Sequence, residues 1–124
     1  MAADSNKQTA KDGYAAFIAM DPEGAMKDLS DSIEWVVTGD NALAGTYKGK
    51  DEVGGFWMKI VEKGFTTTPK EFLADGDKVV VLVEIALGGE TRETVDVLAF
   101  DGDGKLARFQ SFGGEDLLNK TFPR

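Results

Sequence analysis

The stretch that decides the fold is residues 78–100, KVVVLVEIALGGETRETVDVLAF. Its first part is apolar at nearly every position, and only Glu84 interrupts the run. Apolar residues on both faces are typical of a strand that is covered on two sides. Gly88 and Gly89 supply a tight turn, and a second strand-like run follows from Thr91. The stretch therefore predicts two antiparallel neighbours near the centre of a sheet.

Two further strand-like runs flank this pair in the C-terminal half. They cover residues 65–73 and 106–112, and the short segments DGD (75–77) and DGDG (101–104) link them to the central pair. Links of this length join antiparallel neighbours. The acidic DGDG segment lacks the spaced ligands of a twelve-residue calcium loop, and a turn accounts for it. We therefore expect the chain after Gly64 to be β-structure.

The N-terminal half carries helical signals. Apolar residues at i, i+3, i+4, i+7 and i+8 predict a first helix that ends near Met20 and a third helix over about residues 51–63. Asp21 and Pro22 predict the N-cap and the first position of a short second helix. Gly54 and Gly55 lower helix propensity inside the third helix, which suggests close packing against a neighbour.

One strand and an irregular crossing connect the second and third helices. Residues 32–38 place Ile33, Trp35 and Val37 on one face of a strand. Residues 39–49 are rich in turn formers and predict an irregular segment. The predicted order is α-α-β-α-β-β-β-β, in a single α+β domain that spans residues 1–124.

The composition excludes several classes of function. The 124 residues include 22 Asp plus Glu against 14 Lys plus Arg, a net charge of -8, so nucleic acid and anionic membrane surfaces are poor partners. Cys and His are both absent, which removes thiolate nucleophiles, the commonest metal ligand and the commonest general base. We expect neither a metal nor a cofactor. Short apolar runs and a polar N-terminus make the cytoplasm the expected location.

Several motifs resemble a known family. They are YAAF (14–17), LSDSIEW (29–35), GTYKGKDEV (45–53), FW (56–57), DVLAFDGDGKL (96–106) and QSF (110–112). Together they resemble SnoaL-like members of the nuclear-transport-factor-2-like superfamily, which includes bacterial ketosteroid isomerases and polyketide cyclases. The resemblance implies a cone-shaped curved antiparallel sheet wrapped around three helices, with an apolar pocket. It also implies dimerisation through the outer face of the sheet.

The resemblance implies a catalytic site that this sequence matches only in part. Ketosteroid isomerases use a tyrosine from the first helix and a protonated aspartic acid from a late strand, while a second aspartate moves the proton. The late aspartic acid matches Asp96. An ungapped match places Val37 at the mobile base and Gly13 at the tyrosine, with Tyr14 one residue away. Trp57 stands where a supporting tyrosine often lies, so we do not expect ketosteroid isomerisation itself.

Asp96 is the candidate catalytic residue. Its neighbours on the same strand face include Thr94 and Leu98, so this carboxyl lies in an apolar sequence environment. On a strand that faces a pocket, desolvation would raise its pKa and suit it to general acid or base catalysis. The alternative is a structural aspartate that pairs with Arg92 or Arg108 or faces water.

An aromatic-rich set of side chains is expected to line the pocket. The predicted substrate-binding residues are Tyr14, Phe17, Trp35, Val37, Trp57, Val81, Val83, Leu98 and Phe109. Such a lining suits a flat apolar ligand. The alternative is that the same side chains fill a solid core.

Different classes of function remain open at this point. The leading hypothesis is a protein that binds a small hydrophobic molecule and performs cofactor-free isomerase or polyketide-cyclase-like chemistry through Asp96. The alternatives are a non-catalytic ligand-binding or dimerisation module of the same fold, and a protein-interaction domain. Because Val80, Leu82 and Ala86 share the strand face that the cone leaves uncovered, a homodimer through the sheet is also predicted.

Overall fold

The computed structural model describes residues 2–124, which form four helices and six strands. The helices are α1 (Ala2–Ile18), α2 (Pro22–Met26), α3 (Gly49–Glu62) and α4 (Glu115–Thr121). The strands are β1 (Leu29–Val37), β2 (Gly45–Lys48), β3 (Thr66–Asp75), β4 (Lys78–Leu87), β5 (Glu90–Phe100) and β6 (Leu106–Phe112). The predicted α+β class is confirmed, and the predicted elements occur in the predicted order. The structure adds β2 inside the segment expected to be irregular, and α4 after the last strand.

The six strands form one curved, open sheet in the order β2-β1-β6-β5-β4-β3. Four of its pairings are antiparallel, including the three expected among β3, β4, β5 and β6, whereas β1 and β6 run parallel. A parallel pair needs a long crossover, and here the chain from α3 to β5 supplies it. Register shifts interrupt the pairings β1–β6, β3–β4 and β5–β6, and such bulges bend strands.

The helices cover one face of this sheet. Helix α1 packs on β3, β4 and α2, while α3 packs on β1 and β2. Strand β4 alternates accordingly, with one face buried and the other half-exposed. Its buried residues are Val79, Val81, Val83, Ile85 and Leu87. No helix within residues 2–124 is long and apolar enough to cross a membrane.

The helix signals correspond to observed contacts. The Asp21 side chain caps α2 by accepting a hydrogen bond from the Gly24 backbone N–H at 3.1 Å, and Pro22 is the first helical residue. A Cβ on Gly54 would lie 2.9 Å from Met26 Cε, so α2 and α3 do approach closely there. The expectation of close packing at Gly55 is wrong, because that position faces open space.

Candidate functional site

A cavity of about 160 Å³ lies between the helices and the inner face of the sheet. Side chains from α1, β1, α3, β5, β6 and α4 line it, and most of them are apolar. Elements near both ends of the chain therefore line one cavity. Three features of its wall bear on function: an aromatic cluster, a buried carboxyl, and a further carboxyl on α4.

The aromatic cluster contains both tryptophans of the chain. Trp35 stacks on Phe109 with ring centroids 3.7 Å apart and an interplanar angle of 12°. Trp57 meets the rings of Phe17 and Trp35 edge to face, each at 5.4 Å. Trp35 and Phe109 are directly opposite each other in the parallel pairing of β1 with β6, which explains their stack. These rings give the cavity flat walls suited to an aromatic or planar ligand.

Asp96 is the buried carboxyl. It lies on β5 with 5% of its surface exposed, and Tyr14 Oη on α1 donates a hydrogen bond to its Oδ2. Ser111 lies directly opposite on β6. In the described part of the chain, no ion pair reaches the Asp96 carboxyl. A carboxyl without a neutralising cation in this position is costly to ionise.

The pKa values of both partners follow from this environment. Burial raises the pKa of Asp96, and the Tyr14 and Ser111 hydroxyls offset only part of the increase. Burial also raises the pKa of Tyr14 well above its ordinary value, and the neighbouring Asp96 charge adds to this effect. The tyrosine therefore stays a hydrogen-bond donor. The pKa of the Asp96 carboxyl moves towards neutral pH, where acid and base catalysts are most effective.

The salt-bridged alternative for Asp96 is contradicted. Arg92 Nη2 lies 2.7 Å from Asp116 Oδ2 and 3.2 Å from Glu90 Oε1, so Arg92 forms its ion pairs at the protein surface. Arg108 donates a hydrogen bond to Gln110 at 3.2 Å. Asp96 meets a phenol and a serine instead of either guanidinium, because its side chain faces inward.

The prediction that the tyrosine position is unmatched is wrong. The ungapped match placed Gly13 there, yet the Tyr14 hydroxyl reaches Asp96. One helical residue corresponds to a rotation of about 100°, so a slip of one position decides which side chain faces the sheet. The base position does lack a proton acceptor, since Val37 lines the cavity with 7% of its surface exposed.

Most of the predicted binding residues border the cavity. Those that do are Tyr14, Phe17, Trp35, Val37, Trp57, Leu98 and Phe109. Val81 and Val83 do not, although both are almost fully buried. Both valines belong to the hydrophobic core on β4, a strand against which α1 packs. Binding of a substrate by any of these residues stays a prediction.

Sequence reasoning missed Glu115, which lines the cavity together with Asp96 and with Asp28, whose carboxylate pairs with Lys105 at 3.8 Å. The Glu115 Oε1 accepts hydrogen bonds from Thr38 Oγ1 and from the Gly113 backbone N–H, both at 3.2 Å. Nothing in the local pattern marks this glutamate, because it lies after the last strand-like run, where the sequence predicts no element. Within residues 2–124, no three acidic side chains converge as metal ligands would.

The comparisons with known proteins agree with this geometry. A family model described as a SnoaL-like domain matches residues 10–109. The chain belongs to the SnoaL-like family. The matched segment of this SnoaL-like chain carries Tyr14 and Asp96, whereas Glu115 lies beyond it. No curated protein is similar enough in sequence to count as a match.

Solved structures share the fold of this SnoaL-like chain. A cystatin-like protein of unknown function from Xanthomonas campestris has a TM-score of 0.87 at 22% identity, with 96% of this chain and 98% of that chain covered. A putative ketosteroid isomerase from Kribbella flavida DSM 17836 has a TM-score of 0.78 at 19% identity, with 89% and 78% covered. TerC, co-crystallised with polyporic acid, has a TM-score of 0.77 at 27% identity, with 93% and 98% covered.

Proposed function

We propose that the cavity binds a small, flat, hydrophobic ketone and that Asp96 exchanges a proton with it without a cofactor. The chemistry would be that of an isomerase or a polyketide cyclase. The observation that carries this proposal is the Asp96 carboxyl itself, which is buried at the cavity wall, has Tyr14 as its donor and has no cation beside it. A perturbed carboxyl in an apolar cavity is the usual setting for acid and base catalysis.

The polar pair determines which functional group the ligand should carry. Tyr14 donates its single O–H to Asp96, and a protonated Asp96 has an O–H of its own to donate. A carbonyl oxygen placed against Asp96 would accept a hydrogen bond that strengthens as negative charge develops on it. The aromatic walls would hold the remainder of the molecule. The co-crystallisation of the similar protein TerC with polyporic acid supports an organic ligand for this fold.

Ligand binding without turnover is the second candidate. Val37 favours it, since this valine lies at the position that the resemblance assigns to the base and cannot accept a proton. In that case Asp96 would only orient a carbonyl group. The two candidates differ in whether a bound ketone exchanges its acidic protons.

The bicyclic aromatic ketone 2-tetralone tests both candidates. Titration of the protein with 2-tetralone should quench tryptophan fluorescence in a saturable way, because Trp35 and Trp57 both line the cavity. In D₂O the bound ketone should exchange its α-protons, as followed by ¹H NMR. Asp96→Asn should keep its fold and lose this exchange by about 100-fold or more, the usual size of an acid or base contribution.

Glu93→Gln is the matched control, since Glu93 lies on the same strand and is exposed. It should bind and exchange 2-tetralone like the parent. Absence of saturable binding would contradict the proposed ligand class. Full exchange activity in Asp96→Asn would mean that another residue performs the chemistry.

We also propose that a second copy covers the outer face of the sheet. Leu73 pairs with Val80 across β3 and β4, and Leu82 pairs with Val95 across β4 and β5. Leu73 is 50% exposed, and this row of apolar residues is open to solvent in a single chain. Sedimentation at micromolar concentration should give the mass of two chains.

The substitution Leu82→Arg should convert the dimer to a single chain by placing a charge in the interface. Met58→Arg is its control, because Met58 is 74% exposed on α3, away from this face. A parent protein that sediments as one chain would contradict the dimer.

A further inference from the structure

The cavity contains a carboxylate that the proposed function does not yet use. Glu115 begins α4 and lines the same cavity as Asp96. The two side chains come from different elements, β5 and α4, and each faces a different set of partners. A site with two carboxyl groups in unlike environments can divide the roles of acid and base between them.

Two hydrogen bonds hold the Glu115 side chain at the cavity wall. Its Oε1 accepts from Thr38 Oγ1 and from the Gly113 N–H, each at 3.2 Å. Neither donor is a cation. Among the described residues, no Lys or Arg forms an ion pair with Glu115.

Two basic residues in this region already form ion pairs with other carboxylates. Arg92 binds Asp116, the residue after Glu115, at 2.7 Å, and Lys120 binds Glu90 at 2.5 Å. Among the described residues, no cation therefore occupies the Glu115 carboxyl oxygens. At Asp96, burial raises the pKa, which suits that carboxyl to the role of acid.

The position of Glu115 matches the missing base. Its hydrogen-bond partner Thr38 directly follows Val37, the residue that occupies the base position of the related isomerases. Thr38 and Val37 both line the cavity at the end of β1. Helix α4 therefore brings a carboxyl group to the end of β1, where the resemblance assigns a base and this chain has Val37.

We infer that Glu115 is the base of this site and acts together with Asp96 as the acid. This inference rests on the proposed function and assigns its proton-removing residue. The Glu115 carboxylate takes a proton from the carbon next to the ketone, and that C–H electron pair forms the C=C bond of an enol. The carbonyl π electrons take the proton of Asp96 to complete the enol O–H. Glu115 is then protonated, Asp96 is ionised, and the reverse steps return both to their starting states.

Glu115→Gln isolates this role. The amide oxygen can still accept hydrogen bonds from Thr38 and Gly113, so the wall of the cavity is retained while the basicity is lost. Asp116→Asn is the matched control, since Asp116 is the next residue of α4, is exposed and does not line the cavity. The measurements are 2-tetralone binding by tryptophan fluorescence and α-proton exchange of 2-tetralone in D₂O by ¹H NMR. Thermal unfolding confirms that each variant is folded.

The expected result is that Glu115→Gln binds 2-tetralone like the parent but exchanges its α-protons about 100-fold or more slowly, while Asp116→Asn does both normally. Parent-like exchange in Glu115→Gln would overturn the inference. So would loss of binding in that variant, which would make Glu115 a binding residue. Binding without exchange in the parent overturns Glu115 as base and leaves the binding proposal intact. Absence of binding in the parent is the failure of the proposed function itself.

Discussion

Strand β5 carries two carboxyl groups whose pKa values are shifted in opposite directions. At its beginning, Glu90 lies at the surface, where Lys120 and Arg92 lower its pKa, mainly through the hydrogen bond from Lys120. Six residues later, Asp96 is buried against Tyr14, and burial raises its pKa. Both carboxylates accept hydrogen bonds, so the number of donors does not separate them. Their pKa values differ because of solvent exposure and the charge of the donor. A cation in water favours ionisation of a carboxyl, whereas a phenol in an apolar cavity does so only weakly.

The two regions also differ in what they contribute. The surface group of Glu90, Arg92, Asp116 and Lys120 joins β5 to α4, but such exposed ion pairs contribute little to stability. The region around Asp96 carries an unfavourable, uncompensated carboxyl inside the fold. A group that costs stability in the core is a candidate for function, whereas the paired surface group is explained by structure alone.

The largest expected effect comes from opening the cavity beside Asp96. Trp57→Ala should destabilise the protein by about 3–5 kcal/mol, because it removes a buried aromatic ring from α3. Water in the enlarged cavity should also bring the pKa of Asp96 down towards its ordinary value. Denaturant unfolding measures the first effect and an NMR titration the second.

Met58→Ala is the control for this change, since the neighbouring Met58 is 74% exposed. It should unfold like the parent. If Trp57→Ala also unfolded like the parent, the inward orientation of Trp57 on α3 would be wrong.

A smaller effect is expected from removing the donor to Asp96. Tyr14→Phe should cost about 1–3 kcal/mol, the range for leaving a buried polar group without its partner. It should raise the pKa of Asp96 further, because the Tyr14 hydroxyl lowers that pKa. An NMR titration of the Asp96 carboxyl checks the direction.

Tyr47→Phe is the matched control. Tyr47 Oη donates to the Leu43 carbonyl at 2.7 Å and has no contact with Asp96. It should leave the Asp96 titration unchanged. A fall in the Asp96 pKa in Tyr14→Phe would contradict the role given to the hydrogen bond.

The pH dependence of stability should carry the signature of Asp96. The folded pKa of Asp96 is raised above the ordinary value of 3.8. Its contribution to the free energy of unfolding is therefore fully present below that value and is lost as pH rises through the folded pKa. A tenfold difference in proton affinity between the folded and unfolded states corresponds to about 1.4 kcal/mol of unfolding free energy. Asp96→Asn should remove this component from a plot of unfolding free energy against pH. Ionisation of Asp96 at or below its ordinary pKa would rule out the acid role.

The smallest effect should follow from the surface region. Arg92→Gln removes the partner of Asp116 and one partner of Glu90, so the pKa values of both should rise towards their ordinary values. High salt should produce a similar rise in the parent, because exposed charges are screened. The Asp96 titration should not respond to either change. If it did, the two regions of β5 would be electrostatically coupled and the contrast between them would fail.

Prediction from sequence succeeded where the signal was local. The apolar run of β4 and the turn at Gly88 and Gly89 predicted the β4–β5 pair, and the apolar spacing predicted α3. It did not reveal β2, whose four residues lie in a segment of turn formers, nor the parallel pairing of β1 with β6. Both depend on which distant strands meet, and no local pattern encodes that.

The candidate site shows the same division. Asp96 could be selected from its apolar strand face together with the family resemblance, and its burial agrees with that selection. Val81 and Val83 share the alternation of β4 with Ile85, yet only Ile85 borders the cavity. Period-two alternation identifies the inner face of a strand, but the packing of distant elements decides which part of that face borders a cavity.

By itself, the sequence determined the fold class and the order of the predicted elements, because helix periodicity, strand alternation and turn chemistry act over a few residues. It also made Asp96 a candidate, but it left open whether that carboxyl faces inward. Only the tertiary structure decided that Tyr14 donates to Asp96, 82 residues away, and that Glu115 lies against Thr38, 77 residues away. Contacts over such separations depend on how α1 and α4 pack on the sheet. The exposure of each carboxyl to solvent and charge follows from that packing, and so does its pKa.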